Sequence, residues 1–134
     1  MEDSKKLIVK ASIRNENNEF LVVQRSPEEE FFPDLWDFPG GRVELNETGE
    51  EAIRREVFEE VALEVEAAEE MATYDLIEKG TALEFTVFDV AVHPGNIVIN
   101  LEEYSEFKWG SMVEILESKH TPFLDMFFSE FPDV

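Results

Sequence analysis

The stretch GGRVELNETGEEAIRREVFEEVAL, residues 40–63, sets the organisation of the whole chain. Two glycines open it, a short loop follows, and one glutamate-rich helix completes it. Glu56, Glu59 and Glu60 stand at positions i, i+3 and i+4, so a helix projects their carboxylates from one face. Like charges at this spacing repel by roughly 0.2–0.5 kcal/mol per pair in an isolated helix. A divalent cation is the simplest ligand that offsets this repulsion, and the stretch is therefore a candidate metal site for phosphate chemistry.

The start and the packing of this helix are also predicted by its sequence. Thr48 and Glu51 form a Thr-x-x-Glu capping box, which is typical of a helix N-terminus. Ile53, Val57 and Val61 repeat every four residues and predict a stripe that packs on a sheet. The acidic face lies beside this stripe, so one side of the helix is expected to be buried and the other to face an opening.

Composition restricts the class of protein and of partner. The chain has 134 residues, of which 43% are hydrophobic, and this suits one compact domain over residues 1–134. A net charge of −21 leaves no basic stripe for a nucleic-acid polymer and disfavours an anionic membrane surface. A small phosphorylated substrate remains compatible with this charge if a cation screens its approach.

Two absences restrict the environment of the chain. It contains no cysteine, which excludes disulfides, thiolate zinc sites and a cysteine nucleophile. The first ten residues, MEDSKKLIVK, lack the apolar stretch of a secretion signal, and no run approaches the length that spans a bilayer. We therefore expect a cytoplasmic protein.

Hydrophobic patterning predicts a mixed α/β (α+β) chain. Strands are predicted at residues 7–13, 20–24, 71–77, 82–92, 97–100 and 106–109, with an extended piece at 36–39 and an ambiguous segment at 64–72. The first two strands are expected to form a hairpin, and Lys79-Gly80 is expected to join a second one. Ser111 and Thr121 are predicted to cap two further helices. The last helix carries a phenylalanine stripe, which either covers the sheet or forms a dimer contact.

The spacing of the central stretch resembles the Nudix box. Gly41 is followed by five residues and Glu47, and seven more lead to Arg55-Glu56-Val57-Phe58-Glu59-Glu60-Val61-Ala62-Leu63. The box runs Gly, five residues, Glu, seven residues, then Arg-Glu-apolar-any-Glu-Glu-any-Gly-apolar. Every defined position matches except Ala62, which stands where the family has glycine. The resemblance implies the Nudix fold, an α/β/α sandwich with a central mixed β-sheet.

Ala62 is the one irregular position of the motif. Glycine at this point ends a helix in the left-handed region, where alanine costs roughly 1 kcal/mol. The helix is therefore expected to run on or to end differently, with a local change in the following loop and no loss of a carboxylate.

The resemblance implies hydrolysis of a nucleoside diphosphate linked to another moiety, with Mg²⁺ or Mn²⁺ as cofactor. A MutT-like nucleoside triphosphate pyrophosphohydrolase, monomeric or homodimeric, is the favoured interpretation. Nucleotide sugars and dinucleoside polyphosphates are alternative substrates. A non-catalytic nucleotide-binding or regulatory module is an alternative of another class, and the intact glutamate set argues against it.

The resemblance also assigns roles to individual residues. The implied metal ligands are Gly40 or Gly41 through a backbone carbonyl, Glu56, Glu59, Glu60 and Glu103. Glu47 and Arg55 are implied to form an ion pair that orients the loop and the helix. The catalytic base is left open among Glu59, Glu60 and Glu103.

Four positions outside the box concern the substrate. Arg25 resembles a phosphate-contacting arginine, with a surface arginine at a strand end as the alternative. Glu103 resembles a late metal-binding glutamate and is preferred to the neighbouring loop acids Glu102 and Glu106. His120 lies where MutT-type members place a base-reading asparagine, which this chain lacks, and is expected to be a surface or capping residue. Trp36 is expected either to stack on a base or to pack in the core.

Overall fold

The computed structural model describes residues 5–134, which contain seven strands and three helices. In chain order these are β1 Lys6–Ile13, β2 Phe20–Arg25, β3 Trp36–Asp37, β4 Gly40–Arg42, α1 Gly49–Val61, β5 Val65–Glu78, β6 Thr81–Val92, β7 Tyr104–Gly110, α2 Met112–Glu117 and α3 Pro122–Glu130. No helix within residues 5–134 is long and apolar enough to cross a membrane.

The strands form two sheets. The larger has the order β4-β1-β6-β5, in which β1 and β6 are parallel and the other neighbours are antiparallel. The smaller is antiparallel, with the order β3-β2-β7. The predicted α/β class with a mixed sheet is confirmed, and the three-stranded sheet is an addition to it.

The predicted hairpin of the first two strands is wrong. β1 and β2 lie in different sheets and are joined only by the bridge between Arg14 and Phe20. The turn between them is closed by Asn15, whose Oδ1 accepts hydrogen bonds from the backbone N–H groups of Asn17 and Glu19. The local turn was predictable, but β1 pairs along its whole length with β6, a partner that is distant in sequence.

Period-two alternation distributes the strand residues between two cores. Val9, Ala11 and Ile13 of β1 pack in the cluster beneath α1, together with the fully buried helix stripe of Ile53, Val57 and Val61. On the opposite side, Leu83 and Phe85 of β6 pack with the phenylalanines of α3, namely Phe123, Phe127 and Phe128. The phenylalanine stripe therefore covers the sheet, and α1 and α3 enclose it from both sides.

Other local predictions have mixed outcomes. Lys79-Gly80 joins β5 to β6 as predicted, and the ambiguous segment proves to be strand from Val65 onward. Residues 97–100 do not form the predicted strand. Their N–H groups serve the end of α1 instead, since Val98 donates to Val61 O at 3.1 Å and Asn100 to Glu60 O at 2.9 Å. These carbonyls have no partner within the helix, so the segment satisfies them.

The helix caps follow the sequence closely. Thr48 and Glu51 form the predicted capping box of α1, and Ser111 forms another with Glu114 at the start of α2. Thr121 caps α3 with its backbone alone, because its buried hydroxyl makes no hydrogen bond within residues 5–134.

The end of α1 differs from the expectation. The helix stops at Val61, and Ala62 adopts the left-handed conformation with φ 62° and ψ 27°. Its N–H donates to Phe58 O at 3.0 Å, as in a helix that ends in glycine. Leu63 and Val65 are buried directly after it, at 3% and 7% exposure. Burial of these side chains outweighs a local cost of about 1 kcal/mol, so the chain turns despite its alanine.

Ala62→Gly is expected to raise the free energy of unfolding by about 0.5–1 kcal/mol. Removing the Cβ relieves the left-handed strain, while the freedom of glycine in the unfolded chain offsets part of the gain. Urea unfolding at pH 7 measures the difference. Ala82→Gly is the matched control, because Ala82 is exposed in β6. Glycine in a strand loses more conformational freedom on folding than alanine, so this substitution should lower the free energy of unfolding by about 0.5–1 kcal/mol. A less stable Ala62→Gly chain contradicts this account.

Candidate active site

The glycine turn brings β4 against α1 at very short range. A Cβ added at Gly41 would overlap the Glu56 carboxylate, and one at Gly40 would overlap the Val9 carbonyl oxygen. The Gly40 N–H donates to Glu60 Oε1 at 2.9 Å. Glycine is therefore required at Gly40, where a Cβ would meet backbone atoms, and at Gly41 it leaves the space that the Glu56 carboxylate occupies.

Glu60 is a completely buried carboxylate, at 0% exposure. Its Oε1 accepts from Gly40 N and from the Tyr104 hydroxyl, the latter at 2.8 Å. Its Oε2 has no hydrogen-bond partner within residues 5–134. Burial, followed by the charge of Glu56, raises the pKa of Glu60 well above its ordinary value, and the Tyr104 hydrogen bond opposes this. A buried oxygen without a donor beside a second carboxylate is an arrangement that a cation would stabilise.

Arg55 ties the loop before α1 to the helix. Its Nε and Nη2 bind the two oxygens of Glu47 at 2.7 and 2.9 Å, and Nη2 also donates to Arg42 O at 3.0 Å. Its Nη1 donates to Glu56 Oε1 at 2.7 Å. The ion pair predicted between Glu47 and Arg55 is thus present. The Arg55 hydrogen bond, helped by the backbone N–H of Glu44, lowers the pKa of Glu47 to about 2.

The acidic face of α1 is divided between two environments. Glu56 and Glu60 turn toward the glycines, whereas the Glu59 side chain is 54% exposed and lies 3.2 Å from Arg55 Nη1. Within residues 5–134, no three acidic, histidine or cysteine side chains converge closely enough to enclose a metal. The three helix carboxylates predicted to act together therefore lie as a buried pair and a solvent-facing third.

A cleft of about 340 Å³ opens beside the glycine turn. Its lining has six acidic side chains, four basic ones and three phenylalanines: Glu29, Glu30, Asp37, Glu44, Glu56 and Glu103, then Lys6, Lys10, Arg25 and Arg42, then Phe31, Phe32 and Phe85. Glu56 and Glu103, beside Gly40 and Gly41, form its acidic end. The chain has 11 basic residues in all, and four of them lie in this lining among six carboxylates, so charges of both signs meet there. Such a cleft suits an anion that also carries a ring.

Glu103 lies in this cleft, and the neighbouring loop acids Glu102 and Glu106 are exposed outside it. Burial, followed by the charge of Glu56, raises the pKa of Glu103, and the charge of Arg25 opposes this. Glu103 is thus close enough to Glu56 for their charges to interact. The choice of Glu103 over Glu102 and Glu106 as a site residue requires this proximity.

Arg25 lines the cleft but is already engaged there. Its Nε donates to Phe31 O at 2.9 Å, and its Nη2 lies 3.1 Å from Glu29 Oε1. In this conformation Arg25 holds the loop of residues 26–34 as one wall of the cleft. A phosphate at this arginine would compete with Glu29.

The two aromatic candidates for base recognition lie outside the cleft lining. His120 is held between Ser118 O at 2.8 Å and Asp125 Oδ1 at 2.7 Å. Trp36 packs against the phenylalanine core, with Lys108 Nζ 4.4 Å from its ring centroid. His120 thus links the end of α2 to α3 through these two contacts, and Trp36 is a packing residue.

Two features of the cleft were missed in the sequence. Lys10 Nζ and Asp37 Oδ2 form a 2.7 Å ion pair in which each residue is 2% exposed, and this pair joins β1 of the larger sheet to β3 of the smaller. A lysine inside the apolar strand LIVKASI was an available signal, because lysine is almost never buried unless paired. Tyr104, the partner of Glu60, gave no signal except its place after Glu103.

A mixed sheet, a glycine turn and a glutamate helix define the Nudix arrangement, and residues 5–131 match the family model described as NUDIX domain. The chain belongs to this family. Over 65 residues it is 35% identical to an 8-oxo-dGTP diphosphatase of Proteus vulgaris, covering 48% of this chain and 58% of that protein. Over 118 residues it is 28% identical to a CTP pyrophosphohydrolase of Escherichia coli, covering 88% and 85%. The MutT protein of Methanosarcina mazei superposes with a TM-score of 0.86 at 28% identity, covering 100% and 99%.

Several of the sequence matches cover only part of the relative. The chain covers 58%, 39% and 36% of the length of three curated relatives, two diphosphatases and a Nudix hydrolase. These relatives belong to the same family as this chain and align with it over part of their length.

Glu47→Gln is expected to reduce stability in a pH-dependent way. The folded-state pKa of about 2 lies below the ordinary value of 4.5, so the stabilisation is present above about pH 4.5 and is lost as the pH falls toward 2. Urea unfolding between pH 7 and pH 2.5 should show the difference from the parent chain shrinking across this window. Glu66→Gln is the control, because Glu66 is exposed in β5 and makes no ion pair within residues 5–134. A Glu47→Gln difference that stays constant with pH contradicts the prediction.

Proposed function

We propose that this chain hydrolyses the phosphoric anhydride of a nucleoside diphosphate linked to another moiety, with nucleoside triphosphates as the favoured substrates and Mg²⁺ or Mn²⁺ as cofactor. The observation that carries the proposal is the buried Glu60, whose Oε2 has no hydrogen-bond partner within residues 5–134 and whose carboxylate interacts electrostatically with Glu56, a residue that lines the cleft. The activities for which two relatives are named, 8-oxo-dGTP diphosphatase and CTP pyrophosphohydrolase, support the same class of bond.

The residues present fit a divalent cation. Oxygen donors are what Mg²⁺ and Mn²⁺ prefer, and the site offers Glu56, Glu60 and a glycine backbone that no Cβ obstructs. We assign the metal to Glu56 and Glu60, with the carbonyl of Gly40 or Gly41. Glu59 would complete the set by turning from solvent toward this pair, and Glu103 would supply a further ligand or the general base. Such a cation neutralises the phosphates and lowers the pKa of a bound water.

The protein groups around this site have separate tasks. Arg55 holds Glu56 by its 2.7 Å hydrogen bond and joins it to the Glu47 loop. Lys6, Arg25 and Arg42 are basic side chains of the cleft that can contact phosphates, once a cation offsets its six carboxylates. The apolar part of the cleft excludes water and suits the base of a nucleotide.

Geometry favours Glu103 as the general base among the three candidates. It lines the cleft, whereas Glu60 is fully buried with Oε1 engaged and Glu59 is directed to solvent. A base must lie within hydrogen-bond reach of the water whose proton it takes, and Glu103 is the candidate whose carboxylate faces the space that the substrate would fill.

A substrate panel is expected to show metal-dependent turnover. Nucleoside triphosphates, nucleotide sugars and dinucleoside polyphosphates are incubated separately with Mg²⁺ or Mn²⁺, and released pyrophosphate and monophosphates are quantified. The triphosphates should give pyrophosphate and a nucleoside monophosphate, and chelation should abolish the reaction. Faster turnover of a nucleotide sugar or a dinucleoside polyphosphate than of the triphosphates would identify that class as the substrate instead. Nucleotide binding without turnover of any compound would indicate a binding module.

Glu103→Gln should lower kcat by about 10²–10⁴-fold, because the amide cannot accept a proton from water. Glu102→Gln is the matched control, since it makes the same change in an exposed neighbour outside the cleft, and its kcat should equal that of the parent. Both variants are compared by circular dichroism and steady-state kinetics on the best substrate of the panel. Equal kcat values for the two variants would refute the assignment of Glu103.

A further inference from the structure

Tyr104 connects the core to the acidic end of the cleft. It opens β7, is 3% exposed and belongs to the core cluster that contains Val57 and Val61 of α1. It also lines the cleft. The residue therefore has an apolar ring that packs in the core and a hydroxyl that must find a polar partner, since a buried hydroxyl without one is costly.

The hydroxyl finds its partners in the proposed metal site. It donates to Glu60 Oε1 at 2.8 Å, and the Gly40 carbonyl oxygen lies 3.2 Å away. The backbone N–H of Gly40 donates to the same Oε1 at 2.9 Å. Tyr104 therefore contacts two groups assigned to the metal, the Glu60 carboxylate and the Gly40 carbonyl. It also directly follows Glu103 in the chain.

A neutral donor has an advantage at this position. Lysine or arginine would compete with a cation for Glu60, whereas a phenol donates a hydrogen bond without a positive charge. A phenol ordinarily keeps its proton at neutral pH, so it adds no charge beside the carboxylate. Arg55 shows the contrast, because it is a cation that already neutralises Glu56 in part.

We propose that Tyr104 is a positioning residue for the metal site. Together with the Gly40 N–H it holds Glu60 by Oε1, and this leaves Oε2 as the oxygen available to a cation. The inference rests on the proposed function, because it requires a divalent cation at Glu60. Tyr104 acts through Glu60 and takes no part in the chemical step.

Tyr104→Phe tests the inference by metal binding without substrate. The substitution keeps the ring and removes the hydroxyl, and the Kd for Mn²⁺, measured by electron paramagnetic resonance, should rise about 10–100-fold. The chain has two tyrosines, and the other supplies the matched control. Tyr74 bonds Glu130 at 2.5 Å and lies outside the cleft lining, so Tyr74→Phe should leave the Kd unchanged.

The outcomes separate the inference from the proposed function. Mn²⁺ binding that is equal in the parent and Tyr104→Phe overturns the role of Tyr104 and leaves the proposed function in place. A parent chain that binds no Mn²⁺ overturns both. Weaker binding by Tyr104→Phe alone, with an unchanged circular dichroism spectrum, supports the inference.

A second measurement avoids substitution at residue 104, should Tyr104→Phe fail to fold. The chain is labelled with 3-fluorotyrosine, and Tyr74→Phe assigns the two ¹⁹F resonances. Saturation with Mg²⁺ should shift the Tyr104 resonance, because a cation at Oε2 changes the charge on the acceptor of its hydroxyl, and should leave the Tyr74 resonance in place. A Tyr104 resonance that does not move while Mg²⁺ binds overturns the inference.

Discussion

The rest of this structure depends on the contact between the Gly40-Gly41 turn and the glutamate face of α1. The Gly40 N–H meets Glu60 at 2.9 Å, and Gly41 leaves room for the Glu56 carboxylate. Tyr104 adds β7 to the same point through its hydroxyl. One buried carboxylate therefore joins a strand from each sheet to the central helix. Because a buried charge without partners is very costly, this junction is held in a narrow set of geometries.

The site combines acidic and basic side chains in a molecule that is strongly acidic as a whole. The chain has a net charge of −21, yet Arg55 forms a bidentate ion pair with Glu47, and four other basic side chains line the cleft. Lys10 and Asp37 place a further ion pair in the interior between the sheets. Such a pair gives little net stability, since desolvation offsets most of the attraction, but it is costly to break and so restricts how the sheets approach each other. The acidic surface and the mixed-charge cleft are thus separate features with separate physical origins.

Local patterns in the sequence predicted what depends on neighbours along the chain. The capping box of α1, the Ser111 cap of α2, the buried stripe of α1 and the β5–β6 hairpin all agree with the structure, because each is set by residues a few positions apart. The failures concern distant partners. β1 pairs with β6 instead of β2, and residues 97–100 satisfy the end of α1 instead of forming a strand. Ala62 shows the same rule at one residue, since burial of the following side chains overrides its local preference.

The sequence alone determined the family, the helix with its glutamates and the oxygen-rich chemistry of the site, because a fixed spacing on a helix places carboxylates without reference to the rest of the fold. Tertiary structure decided which glutamates lie together. It buried Glu60 against Gly40 and Tyr104, left Glu59 in solvent and brought Glu103 into the cleft instead of Glu102. It also brought Lys10 to Asp37 and removed His120 from the cleft. Burial and hydrogen bonding between segments far apart in sequence set these outcomes, and no local pattern encodes them.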